Sequence, residues 1–288
     1  LDGAGNVQWQ KTYGGGREER GSAVQLTGDG GYIVAGSTKS FVDYDENAWI
    51  LKLNGAGDVE WQKIYGGALN DYDYASAIWP TGDDGYIVAG STESGTRYHA
   101  VWVLKLDSQG NVLWQKAYDG NNEDSAVGIW PTADDGYIVA GNTKSFADFH
   151  GDFWVLKLDG TGNVQWQKTY GGPEWDLATA IWPTADGGYV VAGLTASFGA
   201  GAVDMWVLKL DEQGNVSACT SNIVGESSAV PAEANISVSS SNVAPTVTTA
   251  NVSVSSATPV ASSATLGDQC PPSGSAHRLY LPLVMREQ

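Results

Sequence analysis

Few residues of this chain are of a type and spacing that could do chemistry. There are three histidines and two cysteines. His99 and His150 fall between apolar runs, and His277 lies near the end. None is close to a G-x-S-x-G elbow or to a cysteine, so the local sequence supports no Ser–His or Cys–His nucleophile. Exposed loop histidines are the expectation, and no catalytic residue is assigned. Cys219 and Cys270 form no C-x-x-C pair, which argues against zinc. Their number fits one disulfide, which would close a loop of roughly 50 residues and stabilise by about 4 kcal/mol on the chain-entropy model. Asn215, Asn235 and Asn251 each open an Asn-x-Ser acceptor for glycosylation. Disulfide and acceptors together suit an oxidising, extracellular setting.

Two binding chemistries have more support. Calcium takes six to eight oxygens, and acidic loops around Asp43, Asp45, Asp71 and Asp73 offer several. None matches the twelve-residue calcium loop. Asp73, Asp124 and Asp176 recur two residues before an alanine, where a turn-capping carboxylate explains them without a metal. No cofactor is assigned, calcium being the one ion these loops could take. Trp79, Trp130 and Trp182 each precede a proline. Rings repeated in this way could stack on a sugar if they reach solvent, or could pack between neighbouring sheets. The first copy of the pattern has Gln25 and Leu26 at that place.

The elements that would position these residues follow from repetition. The string GYIVAG begins at Gly31, Gly85 and Gly136 and returns as GYVVAG at Gly188. W-[IV]-L-K-L begins at Trp49, Trp102, Trp154 and Trp206, and WQK at Trp9, Trp61, Trp114 and Trp166. Three markers sharing a period of about 52 residues define one structural unit. The second copy reads as four strands: Ala75 to Thr81, Tyr86 to Thr92, Ala100 to Asp107 and Val112 to Tyr118. On the third of these, Trp102, Leu104 and Leu106 alternate with Val101, Val103 and Lys105, as in a strand buried on both faces. Four strands at this period is the arithmetic of a β-propeller blade, so the chain reads as an all-β propeller of about four four-stranded blades.

These residues also carry a resemblance. The run from GYIVAG through WILKLN to GAGDVEW resembles the blade of quinoprotein-like propellers, with their ALD-x-x-TG-x-x-x-W motif. It is similar as well to secreted bacterial and archaeal proteins with D-G-G-Y-I-V-A-G-x-T repeats. The likeness covers about residues 1 to 217 and implies fold rather than function. Quinone-dependent dehydrogenases of that kind have about twice as many blades, vicinal cysteines and a calcium site, and Cys219 and Cys270 are far from vicinal.

The chain opens inside a repeat, at Leu1, and so reads as a processed form or a fragment. Asn6 to Tyr13 stand as a lone fourth strand, while NVSACTSNIVG from Asn215 is a degraded one. The first could complete the last blade within the chain, or the completion could run between molecules. Residues 218–288 form a separate Ser/Thr-rich tail. Ile236 and Val238, then Val252 and Val254, alternate with serines, which argues strands with one apolar face, although such composition also suits a flexible linker. The end, with Leu279, Leu281 and Pro282, reads as an apolar edge strand and resembles the C-terminal ends of secreted Chloroflexota proteins.

Charge excludes one class of partner. Fifteen basic against 33 acidic residues give a net −18, the reverse of a nucleic-acid footprint. No apolar run approaches the 18 residues of a membrane span. The reading that results is a secreted, non-catalytic structural protein at the cell surface or outside the cell. It would self-assemble into a filament or layer by strand addition. The strands concerned would be those of Val7 and Trp9 at the start and of Ile236, Val238, Val252, Val254, Leu279 and Leu281 in the tail. A lectin-like propeller binding surface polysaccharide through Trp79, Trp130 and Trp182 is the alternative, and a quinoprotein-like enzyme ranks last.

Overall fold

A computed structural model describes residues 3, 7–41, 46–66, 72–93, 98–120, 122–147, 150–199 and 202–216. In the tail it describes the backbone of 224–226, 232–233, 237–240 and 246–247. Every regular element among the described residues is a strand. After β1 (Lys11–Thr12) come β2 (Glu19–Leu26), β3 (Tyr32–Thr38), β4 (Asn47–Leu53) and β5 (Val59–Gly66). The second unit is β6 (Tyr74–Pro80), β7 (Tyr86–Thr92), β8 (Ala100–Leu106) and β9 (Val112–Tyr118). The third is β10 (Asp124–Pro131), β11 (Tyr137–Thr143), β12 (Asp152–Leu158) and β13 (Val164–Tyr170). The fourth is β14 (Asp176–Pro183), β15 (Tyr189–Thr195) and β16 (Asp204–Leu210), with Val216 bridging to Leu210 where a fourth strand would begin. Each unit is an antiparallel meander, as the period implied. No helix among the described residues is long and apolar enough to cross a membrane.

The repeated motif reads directly as geometry. In GYIVAG the first glycine follows a turn whose aspartate closes it. Asp29, Asp83, Asp134 and Asp186 accept hydrogen bonds from the amides of Gly31, Gly85, Gly136 and Gly188. The lysine of each W-[IV]-L-K-L strand, Lys52, Lys105, Lys157 or Lys209, donates to the same aspartate. A Cβ at the first glycine would run into the leucine carbonyl closing that strand, for example Leu106 O at Gly85. The second glycine lies against a β-bulge in the first strand of its unit. There a side chain would collide with backbone, as Gly90 with the Tyr74 carbonyl.

The units stack face on face. Ile33, Ala35, Ala48 and Ile50 of the first pack on Ile78, Val88, Trp102 and Leu104 of the second. Ile87, Ala89, Val101 and Val103 of the second pack on Ile129, Val139, Trp154 and Leu156 of the third. Ile138, Ala140, Phe153 and Val155 of the third pack on Ile181, Val191, Trp206 and Leu208 of the fourth. Trp102 and its companions thus face the unit before, and Val101 and Val103 the unit after, as the alternation required. Flat stacking would hold alternate sheets about 20 Å apart. The rings of Trp79 and Trp182, two units apart, instead lie 6.4 Å apart. The sheets therefore fan outward from their first strands.

The N-terminal strand, expected over Asn6 to Tyr13, has two readings: completion of the last unit within the chain, or completion between molecules. It is regular only at β1, which pairs not with β16 but with β20 (Thr246–Val247). No extended packing of described residues joins the fourth unit to the first. The tail pairs with its own chain where it is described. Its described strands β17 (Val224–Glu226), β18 (Ala232–Glu233) and β19 (Ser237–Ser240) add to β13, β9 and β5 of their own chain. Glu226, Glu233, Ser240 and Val247 stand opposite Lys168, Lys116, Lys63 and Lys11, so the tail advances seven residues per unit, in reverse order, along the outer edges. Val238, expected to pair outside the chain, stands opposite Tyr65. Cys219, Cys270, Asn235, Ile236, Asn251, Val252, Val254, His277, Leu279 and Leu281 lie outside the described residues, as do Asp43, Asp45 and Asp71.

Candidate functional site

Three places could carry function: the tryptophans at the inner edge, a cavity at one end of the strands, and the faces of the outermost sheets. The tryptophans sit in register on β6, β10 and β14, opposite Ile87, Ile138 and Val190. Convergence of the fan brings them together. Trp79 and Trp130 have ring centroids 3.6 Å apart, and Trp130 and Trp182 3.9 Å apart. The rings pack against one another, tilted or edge-on, and of the three only Trp182, 59% exposed, presents much surface to solvent. Gln25, opposite Ile33, takes the position in the first unit.

The cavity, about 430 Å³, lies where loops of the second, third and fourth units meet. Tyr74, His99, Asp124, Asn142, Lys144 and His150 line it. The expectation of two separate, exposed loop histidines needs correcting for His99. It is half-buried, 3.1 Å from Glu93 Oε1, with its ring edge-on to Tyr74. Asp124 is buried, and burial pushes its carboxyl up against the opposing hydrogen bonds from Ser145, Thr143 and Gly120. Ser145 Oγ donates to Asp124 Oδ2 at 2.6 Å and Gly120 N at 3.1 Å. Asn142 is bound to the backbone of Ala178 through both ends of its amide. Asp176 repeats the arrangement of Asp124 with Ser197 and Gly172. These carboxylates thus tie the start of each first strand to the loop after the second. Among the described residues no group of three or more His, Cys, Asp or Glu side chains could hold a metal ion.

The joint between units is built from one repeated set of contacts. On β5, Trp61 Nε1 donates to Ser108 O, Lys63 Nζ to Asn111 Oδ1 and Tyr65 OH to Gly110 O, all in the turn of the next unit. Lys116 and Tyr118 on β9 do the same to Asn163 and Gly162, and Lys168 and Tyr170 on β13 to Asn215 and Gly214. Asn215, a glycosylation candidate, therefore holds an interunit bond, and its Nδ2 donates to Asp211 at 2.9 Å. The N-terminal segment repeats the set on the first unit. Trp9 Nε1 donates to Gly55 O, Lys11 Nζ to Asp58 Oδ1 and Tyr13 OH to Gly57 O.

Beyond the ends of the fan, apolar surface is left uncovered. Met205 and Val207 on β16 are 80% and 54% exposed. Their counterparts Val101 and Val103, and Phe153 and Val155, are 0% exposed. On the first unit Val24 and Leu26 are likewise exposed. Sequence reasoning passed over Met205 and Val207. Aligning the repeats against one another would have marked them as core positions of the motif. The tail's stride was also legible, since Val224, Pro231, Val238 and Pro245 are seven residues apart. No protein-family model matches the chain, and no curated protein matches it.

Proposed function

We propose that this is an extracellular structural protein, built of propeller-type blades fanned about their first strands, whose copies assemble through strand and face addition. The observation that supports it most is the outer face of the fourth unit, where Met205 and Val207 are exposed although their counterparts Val101, Val103, Phe153 and Val155 are buried. Exposed apolar surface next to a strand edge is a template for association. The acidic surface keeps such a protein soluble between encounters. Electron microscopy of the purified chain tests this directly. Filaments, sheets or closed rings larger than one chain are expected, and uniform single-chain particles at every concentration overturn it.

A second reading, carbohydrate binding, is favoured only by the exposed ring of Trp182 beside Trp130. A glycan array with the natural chain and a Trp182→Ala variant decides it. Binding lost in the variant supports that reading, and no binding by either chain removes it.

A further inference from the structure

Comparing one unit with the next separates what folds this chain from what is particular to one place in it. Lys144 is such a departure. Every other lysine binds a carboxylate or an amide oxygen through its ammonium group. The Lys144 ammonium group has no partner among the described residues. Its nearest counterpart is Lys39 of the first unit. There Lys39 N donates to Glu18 O, and in the third unit Lys144 N donates to Glu123 O. The side chains then part ways. Lys39 Nζ closes on Glu18 Oε2 at 3.0 Å, whereas Lys144 and Glu123 form no ion pair and both line the cavity of about 430 Å³. The second and fourth units keep the same backbone bond with other residues, Glu93 to Tyr72 and Ala196 to Trp175. The fold therefore requires neither charge at these positions.

The rest of the lining is held in place. His99 is fixed by Glu93 and by the ring of Tyr74, and Asn142 by both of its bonds to Ala178. His150 is exposed, and its ring, like the carboxylate of Glu123, has no partner among the described residues. One wall thus offers a free carboxylate and two free basic groups, with Tyr74 and Leu177 as apolar surface. Opposite charges that line one cavity without meeting each other are satisfied together by a ligand that carries both. We propose that this cavity binds a small zwitterion, a free α-amino acid. Its ammonium group binds Glu123, its carboxylate binds Lys144 and His150, and its apolar side chain lies against Tyr74 and Leu177. Charge-assisted hydrogen bonds of this kind are stronger than neutral ones. A zwitterion also has no net charge for the acidic chain to repel. The volume suits a small molecule, whose sites span about 300–1,000 Å³. The cavity is built within one chain, so this site stands apart from assembly.

Isothermal titration calorimetry of the full chain with L-leucine is the test. A dissociation constant of about 1 mM or below is expected. Two further probes each remove one charge: leucinamide lacks the carboxylate and isocaproate lacks the ammonium group. Each should bind at least about tenfold more weakly than leucine. Lys144→Met should weaken leucine about tenfold and leave leucinamide unchanged, whereas Glu123→Gln should weaken both. Neither side chain has an internal partner to lose, so both variants should unfold in urea at the midpoint of the natural chain. A flat titration with leucine overturns the proposal. So does equal binding of leucine, leucinamide and isocaproate, which marks an apolar cavity that does not read charge. Leucine binding unchanged in both variants places the ligand elsewhere and overturns it as well.

Discussion

At the scale of single residues the repeat is a set of close approaches and short polar bonds. Gly90→Ala places a Cβ on the Tyr74 carbonyl and should cost about 1–3 kcal/mol. Gly82→Ala meets nothing within 4 Å and should stay within about 0.5 kcal/mol of the natural chain. Urea unfolding of the two variants is the check. The turn carboxylates make a second prediction. Burial opposes the charge of Asp83, but hydrogen bonds from Lys105 and Thr81 outweigh it and bring its pKa to about 2. Asp159 reaches about 2 against burial in the same way, through the backbone and side chain of Asn163 and through Thr161. A carboxylate held below its unfolded value stabilises the fold above that value, and the stability is lost as pH falls through the folded pKa. The melting temperature should therefore hold near pH 5 and fall between about pH 4 and pH 2. Asp83→Asn should flatten part of that fall. Both motif glycines were visible in the sequence as repetition, but their reason was not. A carbonyl that arrives from a bulged neighbouring strand leaves no mark in the glycine's own segment.

At the scale of elements the strands were legible because their apolar positions alternate and their turns repeat. In the second unit the expected and observed limits of the second and fourth strands coincide. The first is shifted by one residue at both ends, and the third stops one residue earlier. What alternation cannot tell is whether an apolar face has a neighbour, since Val103 and Val207 occupy the same position of the same motif. They give a paired prediction. Val103→Ala removes fully buried methyl groups and should cost about 2 kcal/mol. Val207→Ala should change the stability of separated chains by less than about 0.5 kcal/mol. Chemical denaturation at low protein concentration distinguishes the two. The site residues were legible in part. The tryptophans were found, but the contact among them depends on how steeply the sheets converge. That angle is set by packing across units rather than within one.

At the scale of the whole molecule the tail is a strap. It crosses the outer strands of three sheets and ends its described course on β1, so residues far apart in sequence become neighbours at four successive edges. A chain ending at Val216 would leave β5, β9 and β13 as open edges. Faster amide hydrogen exchange along those strands is expected on deletion, with the inner strands β3, β7 and β11 unchanged. Equal exchange in both chains would remove the strap. Alternation marked strands in this segment but not the edges they cover, because serine and alanine carry little hydrophobic signal. The tail's strands are held by backbone bonds to an existing edge, and such bonds ask little of side-chain type.

That reverse course imposes a timetable on synthesis. The first sheet has its own four strands once Gly66 is made, yet its fifth, β19, is about 170 residues further along the chain. At translation rates of about 5–20 residues per second, its edge waits on the order of 10–30 seconds for its cover. The third sheet waits only for β17. The oldest edge on the ribosome is thus also the last of the three to be closed. A nascent chain of this protein passes through an interval in which its outer strands can pair with those of a neighbour on the same messenger.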